Sequence, residues 1–484
     1  MENDNQPEWG KTCSKCFIIP QRYIFGVMGF FAIFNAYTMR ICLSVVITQL
    51  VVARNYTKDK LQDEVICPVL EYDDGKFLPG GEYDWSQQLQ GYVLSSFYIG
   101  YVFSQIPGGV LAQRIGAKIV LTVGILSTAL CSIATPWTIV HFDAIGLICL
   151  RIIMGFGEGP TFPALACLLS QWVPVTEMGF IGAIVLGGGQ IGTIVGNTIC
   201  GLILAHFTWD NVFYVFGFTS ILWCILFVIL CYNDPASHPF IKPSEKEYLR
   251  SIMGEISRRQ DLPPTPWSSI FSGAPIYALI CAQIGHDWSF FVMSTDLPKY
   301  FNDVIQLPID KNGFFSSLPF GVMWVSSIMS GYITDHIIRR GAVGITKIRK
   351  INTFIASMGP SIFLVLASYS GCNRFHVLAC FTIGMGLMGP YYAGMKLSPM
   401  DMTRNYSATI MGIVNGVGSL TGVVAPATVG LMTPNTTIDE WRLVFWVAFI
   451  MLVISSVVFV IWGTGERQYW DDPEKIAERK QNKT

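Results

Sequence analysis

One arginine, Arg40, stands inside an otherwise apolar stretch near the start of the chain. A charged side chain near the middle of a membrane-spanning helix costs at least about 2.5–3.5 kcal/mol, so such residues face water-filled cavities or charged partners. A planar guanidinium binds carboxylates and phosphates through paired hydrogen bonds. We therefore expect Arg40 to anchor a small negatively charged solute. The alternative is a structural tether to the end of a neighbouring helix.

Arg151 and Glu158 lie seven positions apart in another apolar stretch. Both should project from one helix face, about 10.5 Å apart along the axis, which is too far for an ion pair within the helix. A buried carboxylate among cations can exchange protons near neutral pH. We therefore expect Glu158 to couple transport to a cation, the alternative being a static ion pair between helices. For Arg151, a contact with substrate or gate and a structural role are both open.

His286 and Asp287 form a third polar pair in an apolar stretch. Histidine titrates near neutral pH, so we expect His286 to contact the substrate or relay protons and Asp287 to assist cation coupling. A hydrogen-bonded packing pair beside Trp288 is the alternative. Further hydrogen-bonding candidates for an anion are Tyr98, Tyr391 and Asn415, although such side chains also serve as helix–helix contacts.

Other kinds of chemistry find no support. The chain has no Walker A sequence, no zinc-spaced His/Cys cluster and no GxSxG motif. We therefore expect a non-enzyme without catalytic residues, metal or cofactor beyond a co-transported H⁺ or Na⁺. A net charge of −1 gives no reason to expect nucleic acid as a partner. Among 13 cysteines, only Cys67 and Cys372 fall in loops that we place outside, so a disulfide framework is not expected.

The composition places these polar residues in a membrane. Only 13% of the 484 residues are charged, and the mean hydropathy is +0.46. Soluble proteins carry roughly 25% charged residues, whereas a membrane helix needs about 20 apolar ones. Twelve stretches satisfy that length, and we number them spans 1 to 12: 23–50, 88–112, 118–137, 143–172, 178–205, 209–231, 273–300, 312–335, 351–370, 374–396, 405–432 and 440–463.

The spans divide into two sets of six. The chain is predicted to be an all-α membrane protein whose twelve transmembrane helices form two pseudo-symmetric six-helix bundles. The expected parts are an N-terminus (1–22), a first bundle (23–232), a proline-rich linker (233–272), a second bundle (273–463) and a tail (464–484).

The distribution of charge predicts the orientation. Lysine and arginine concentrate on cytosolic loops, and the 336–350 loop carries five of them with no acid, whereas the 53–87 loop is acidic. We therefore expect the N-terminus, linker and tail in the cytosol. The N-terminus lacks the early apolar core of a signal peptide. Asn55 and Asn435 lie in N-glycosylation sequons on outer loops.

A short motif recurs once in each half. Gly109 precedes Gln113 and Arg114 after span 2, and Gly331 precedes Asp335 and Arg339 after span 8. Glycine lets two helices approach, and the polar and basic side chains latch a tight turn. The motif resembles the cytosolic-loop motif of the major facilitator superfamily. Gln113 stands where an aspartate is usual, so the first latch should be weaker.

Five longer motifs are Tyr37–Ser44, Gln105–Gly109, Arg151–Ala164, Met411–Gly418 and Gly465–Glu474. Together they resemble the anion:cation symporter branch of that superfamily, which includes sialin, the vesicular glutamate transporters and the type I sodium–phosphate cotransporters. The sequence at residues 285–288 and 295–300 is similar to that of insect members labelled as inorganic phosphate cotransporters. His286 and Leu94 stand where the glutamate transporters carry an arginine and a histidine, which makes a dicarboxylate substrate less favoured.

The residues and the resemblance together indicate a secondary active transporter. We expect a cation-coupled symporter, driven by H⁺ or Na⁺, for inorganic phosphate or an organic anion such as an acidic sugar, working by alternating access. The alternatives are an uncoupled anion channel or uniporter, a vesicular glutamate-like transporter, and a receptor of the same fold that does not transport. We expect a monomer in the plasma membrane or a lysosomal or vesicular membrane.

Overall fold

The computed structural model describes residues 19–51, 81–253, 264–296, 300, 309–434 and 437–471. Within these ranges the chain is helical, apart from turns and one isolated bridge between Val51 and Tyr83. Helices are the expected outcome, because a lipid environment leaves no water to pair free backbone groups.

The first bundle contains spans 1 to 6. Spans 3 and 4 share one helical segment that reverses at Asp143, where φ is 52°. The span 2–3 turn ends at Gly116, whose φ of 111° favours glycine. Spans 1, 2 and 6 are the helices Gln21–Leu50, Gln87–Leu111 and Asp210–Leu230. Spans 3 and 4 together comprise Ala117–Glu158 and Thr161–Trp172. Span 5 comprises Val175–Leu186 and Gly188–His206.

The second bundle repeats this plan after two linker helices, Pro243–Met253 and Trp267–Phe271. Span 10 ends early, at Met388, and a 3₁₀ turn over Gly389–Tyr391 follows it. The spans are Ala274–Phe291, Ile309–Arg339, Ile345–Tyr369, Arg374–Met388, Ser407–Ser419 with Thr421–Met432, and Ile438–Trp462.

Seven helical segments of the described ranges are long and apolar enough to cross a membrane, and one, Gln88–Trp172, contains spans 2 to 4. Large apolar side chains are exposed on the outer surface, for example Ile145, Phe218 and Trp462. Such a surface suits lipid rather than water. The predicted twelve-helix membrane fold is confirmed.

The two bundles meet along pairs of helices related by the internal repeat. Span 2 packs against span 11, and span 8 packs against span 5. Spans 2 and 8 occupy equivalent positions in the two halves, as do spans 5 and 11, so the two contacts are the same contact made twice. This pairing is the structural form of the predicted pseudo-symmetry.

The first linker helix fastens the start of span 1. The carboxylate of Glu245 accepts hydrogen bonds from the backbone N–H groups of Gln21 (2.8 Å) and Arg22 (3.2 Å). These are the free donors of a helix N-terminus, which carboxylates satisfy well. The Arg22 side chain also pairs with Glu177 at 2.8 Å. The linker is thus fastened to span 1, and span 1 to the start of span 5. We call this end of the molecule the linker face.

A buried histidine lies at the start of the linker. Nε2 of His238 donates to the Leu230 carbonyl (3.3 Å), while Nδ1 accepts from the Phe240 N–H (3.4 Å). One donor and one acceptor are what a neutral imidazole offers. Burial lowers the pKa of His238 to about 4. Protonation would destroy the acceptor and place a charge in an apolar site.

One cysteine of the described ranges forms a disulfide, which is less than the framework that the sequence argued against. Cys372, in the turn between spans 9 and 10, is disulfide-bonded. The other cysteines in the described ranges are free, so its partner lies outside those ranges. The sequence contains too few loop cysteines to predict a framework, but a single bond requires only two that the fold brings together.

Candidate functional site

A small cavity with a volume of about 50 Å³ lies between the two bundles. Both bundles contribute to its walls. Of the eight residues assigned from sequence to substrate or cation binding, six line it, while Arg151 and Glu158 lie behind the wall. The lining residues are Tyr37, Arg40, Tyr98, Tyr101, Phe162, Gln283, His286, Asp287, Phe290, Phe291, Tyr391, Tyr392, Lys396, Asn415 and Ser419.

Arg40 and Glu158 form a buried ion pair. Nε of Arg40 donates to Oε1 of Glu158 at 2.9 Å, and Nη2 contacts the same oxygen. Rings surround the guanidinium, with centroids of Tyr37, Phe97 and Tyr101 at 4.6, 4.9 and 4.7 Å from its carbon. Oε2 of Glu158 is buried and has no hydrogen-bond partner among the described residues. One carboxylate oxygen therefore holds the arginine while the other stays available.

Arg151 lies behind Arg40 rather than in the cavity. Its Nη2 donates to the Arg40 backbone carbonyl at 3.4 Å, and its guanidinium carbon lies 5.0 Å from the Phe97 ring centroid. These contacts favour the structural alternative, in which Arg151 positions span 1. Its predicted contact with substrate stays a prediction.

Span 7 presents a flat polar face to the cavity. The His286 ring stacks on Tyr391 with centroids 3.3 Å apart and planes 3° apart. Asp287 accepts a hydrogen bond from Nε2 of Gln283 at 2.7 Å, and Oε1 of Gln283 accepts one from the Tyr391 hydroxyl at 2.7 Å. A Cβ at Gly418 would lie 2.5 Å from the Asp287 carboxylate, so span 11 approaches this face closely. Gln283 thus links Asp287 to Tyr391 through hydrogen bonds.

Tyr98 and Asn415 make contacts that cross between the bundles. The ring of Tyr98 meets the ring of Phe291 edge-on at 5.8 Å. Nδ2 of Asn415 donates to the Tyr101 hydroxyl at 3.3 Å. Both residues thus line the cavity and contact the opposite bundle. Their roles as ligands stay predictions.

Sequence reasoning missed Lys396, which lies at the cavity and is only 4% exposed. Its Nζ donates to Oδ1 of Asn415 at 2.8 Å and lies 3.5 Å from Oε1 of Gln283. A lysine at the predicted end of span 10 is expected to extend toward water. The helix instead ends at Met388, and the following turn directs Lys396 inward. The signal was the Gly389–Pro390 pair, a helix breaker seven residues before a lone cation.

The second predicted latch joins spans 8 and 5 at the linker face. The Asp335 carboxylate accepts hydrogen bonds from the backbone N–H groups of Gly179 (2.8 Å) and Phe180 (2.7 Å). Arg339 donates to the carbonyl of Thr176 at 3.0 Å. A Cβ at Gly331 would lie 2.3 Å from the Gly179 carbonyl oxygen, so only glycine allows this approach.

The first predicted latch contains the neutral residue Gln113 in place of an aspartate. A Cβ at Gly109 would lie 2.5 Å from the Ala408 carbonyl oxygen, so spans 2 and 11 also pack closely. Gln113 donates to the carbonyl of Asn405 (3.0 Å) and accepts from the Thr409 hydroxyl (2.5 Å). An amide can do both, so the missing charge is offset by a second kind of hydrogen bond.

Arg114 is exposed, and the structure records no side-chain partner for it in the described ranges. Its place in the latch stays a prediction. The two sequons at Asn55 and Asn435 lie outside the described residues, so their glycosylation also stays a prediction.

Comparison with known proteins identifies the fold family. Residues 29–426 match the family model of the Major Facilitator Superfamily. The chain belongs to this superfamily. It is 35% identical over 470 residues to the Drosophila melanogaster protein named "Putative inorganic phosphate cotransporter", covering 95% of this chain and 88% of that one. It is 33% identical over 455 residues to human sialin, covering 93% and 90%. The anion:cation symporter branch predicted from the motifs is confirmed.

Solved superfamily structures agree with the fold. The proton:xylose symporter XylE, bound to 6-bromo-6-deoxy-D-glucose, superposes with a TM-score of 0.69 at 12% identity, covering 92% of this chain and 97% of that one. At that identity the likeness shows the fold alone. The superfamily match makes this chain a membrane transporter, and it has a cavity with polar side chains at the interface of its bundles.

Proposed function

We propose that the protein is a cation-coupled symporter of a small anion. The observation that carries the proposal is the Arg40–Glu158 pair beside the inter-bundle cavity. While Glu158 is ionised, it occupies the guanidinium. A proton on Glu158, or Na⁺ beside it, neutralises the carboxylate and leaves Arg40 for an anion. Cation and anion then bind together, which is the requirement for symport. The names of the relatives support inorganic phosphate or an organic acid as the anion.

The arrangement of the latches supports alternating access. Both latches join the two bundles at the linker face and hold it closed. Release of these contacts would let the bundles rock about the cavity. The disulfide at Cys372 supports the predicted orientation, since disulfides form in oxidising compartments and the span 9–10 turn lies opposite the linker in that topology. The termini would then be cytosolic, in a plasma, lysosomal or vesicular membrane.

The test is uptake into proteoliposomes with a panel of labelled anions under imposed pH and Na⁺ gradients. We expect accumulation of an anion that depends on one gradient. Arg40→Ala should abolish uptake, measured per folded transporter in the membrane because the loss of one partner of a buried pair also lowers stability. The matched control is Arg442→Ala, since Arg442 pairs with Asp439 at the surface outside the cavity and such pairs contribute little.

Two results would contradict the proposal. Normal uptake by Arg40→Ala would remove the anchor. Anion flux that equilibrates but never accumulates under any gradient would indicate the uncoupled channel or uniporter instead.

A further inference from the structure

A second cation faces the cavity from the opposite bundle. Arg40 belongs to span 1 of the first bundle, whereas Lys396 follows span 10 of the second. The ammonium group of Lys396 also lies against aromatic rings, 4.8 Å from the Phe162 centroid and 5.7 Å from that of Tyr391. The cavity is thus flanked by one positive side chain from each half of the molecule.

The two cations differ in what neutralises them. Arg40 has Glu158 as its counter-charge. The hydrogen-bond acceptors of Lys396 are the amide oxygens of Asn415 and Gln283, and the described ranges place no carboxylate within ion-pair distance of it. Asp287 acts on the charge of Lys396 electrostatically, but it is hydrogen-bonded to Gln283 and makes no direct ion pair with the lysine. Because its hydrogen-bond acceptors are neutral amides, an anion that replaces one of them would form a stronger, charge-assisted hydrogen bond with Lys396.

The two cations are already connected by a short chain of contacts. The Arg40 guanidinium lies over the Tyr101 ring, the Tyr101 hydroxyl accepts from Asn415, and Asn415 accepts from Lys396. One tyrosine and one asparagine therefore separate the positive groups. An anion with oxygens on opposite sides can replace the Asn415 contact and bind both.

Building on the proposed function, we propose that Lys396 is a second anion-binding residue and that the preferred substrate is a doubly charged tetrahedral oxyanion of the phosphate type. One charge pairs with Arg40 when Glu158 is neutralised, and the other pairs with Lys396. A singly charged anion of the same shape can satisfy only one of them. Since the cations belong to different bundles, the dianion also draws the bundles together around itself.

The residue at position 286 in span 7 agrees with this assignment. His286 supplies no fixed charge, but its ring stacks on Tyr391, and Tyr391 in turn lies beside Lys396. The cation on this side of the cavity therefore comes from span 10 and not from span 7. A compact dianion is suited to two cations that are so closely connected.

The test is competition for uptake of radiolabelled inorganic phosphate into proteoliposomes. Unlabelled phosphate is compared with dimethylphosphinate, which is also tetrahedral but carries a single charge. A charge-assisted hydrogen bond lost to an uncharged partner changes affinity by roughly tenfold to a hundredfold. We expect wild-type protein to prefer phosphate by at least about tenfold, and Lys396→Gln to lose most of that preference. Lys396→Arg should keep it.

Lys347→Gln is the matched control, because Lys347 is exposed on span 9 outside the cavity. Thermal unfolding without anion reports any structural effect of each variant. If Lys396→Gln lowers stability or uptake but leaves the phosphate-to-phosphinate ratio unchanged, Lys396 is structural and the inference is wrong. If wild-type protein accumulates monocarboxylates such as glucuronate but not phosphate, the dianion assignment falls while the proposed symport stands. If it transports no anion at all, both proposals fall.

Discussion

Replacing Glu158 with glutamine tests the coupling mechanism most directly. Glutamine has the size of glutamate and keeps Oε1 as an acceptor, but it removes the charge, as a bound proton would. The backbone around it cannot shift easily, because Cβ atoms at Gly155 and Gly159 would lie 2.0 Å from atoms of span 2. Spans 2 and 4 are thus in close contact, and the substitution changes charge more than position.

The magnitude follows from the contacts. Arg40 loses a charge-assisted hydrogen bond of about 1.5–3 kcal/mol, so an anion competing for the guanidinium should bind roughly tenfold to a hundredfold more tightly. Removing one partner of a buried pair also destabilises a protein by about 3–5 kcal/mol. An anion at a hundred times its Kd should return about 2.7 kcal/mol of this. The anion-free variant should therefore melt at a lower temperature and recover when anion is added.

The assay compares gradient-driven uptake with counterflow in the same proteoliposomes. Glu158→Gln should lose accumulation under a pH or Na⁺ gradient, because its carboxamide cannot bind and release the cation. Counterflow should persist at lower anion concentrations, since Arg40 is permanently available. Glu247→Gln, an exposed position on the first linker helix, should behave as wild type. Unchanged gradient dependence in Glu158→Gln would refute the coupling role.

Three further predictions concern stability. Gly331→Ala places a Cβ 2.3 Å from a backbone oxygen of span 5, so we expect a loss of stability of about 1–3 kcal/mol and slower uptake. Gly91→Ala, which has open space around it, should change neither property. Equal effects of the two variants would contradict the close packing of spans 8 and 5. Arg349 is fully buried and pairs with Asp401 at 2.7 Å, so Arg349→Met should lower the free energy of unfolding by about 3–5 kcal/mol. Adding Asp401→Leu should recover most of that loss in thermal unfolding. A double variant as unstable as the single one would contradict this account of the buried pair. The pKa of His238 is about 4 in the folded protein against 6.5 for the free side chain, so the unfolded state binds the proton first and folding free energy is lost as pH falls from 6.5 to 4, by roughly 3 kcal/mol. Unfolding of His238→Gln should therefore depend less on pH across that window, and an identical pH profile would contradict the assignment.

Much of the candidate site could be predicted because charge inside an apolar span is a local property of the sequence. Arg40 and Glu158 were identified by the cost of placing them in a membrane, without any knowledge of their neighbours. Their direct pairing could not be predicted, since they lie 118 positions apart along the chain. The same holds for the latches, where the glycine motif was visible but the facing helix was not.

Lys396 shows where local reasoning fails. The criterion of about 20 apolar residues extended span 10 through residue 396 and placed the lysine at a helix end. The break after Met388 and the inward turn depend on packing against other spans, which are distant in sequence. Cys372 is a similar case, since a disulfide requires two loops to meet.

The sequence by itself determined that this chain is a twelve-span membrane protein of the major facilitator type with costly charges in its interior. Hydropathy, charge bias and short motifs are read within one helix or one turn, so no knowledge of the fold was needed. Only the tertiary structure decided which charges neutralise one another and which remain available to a ligand. That outcome depends on distances between side chains from different bundles, and those distances exist only after the helices pack.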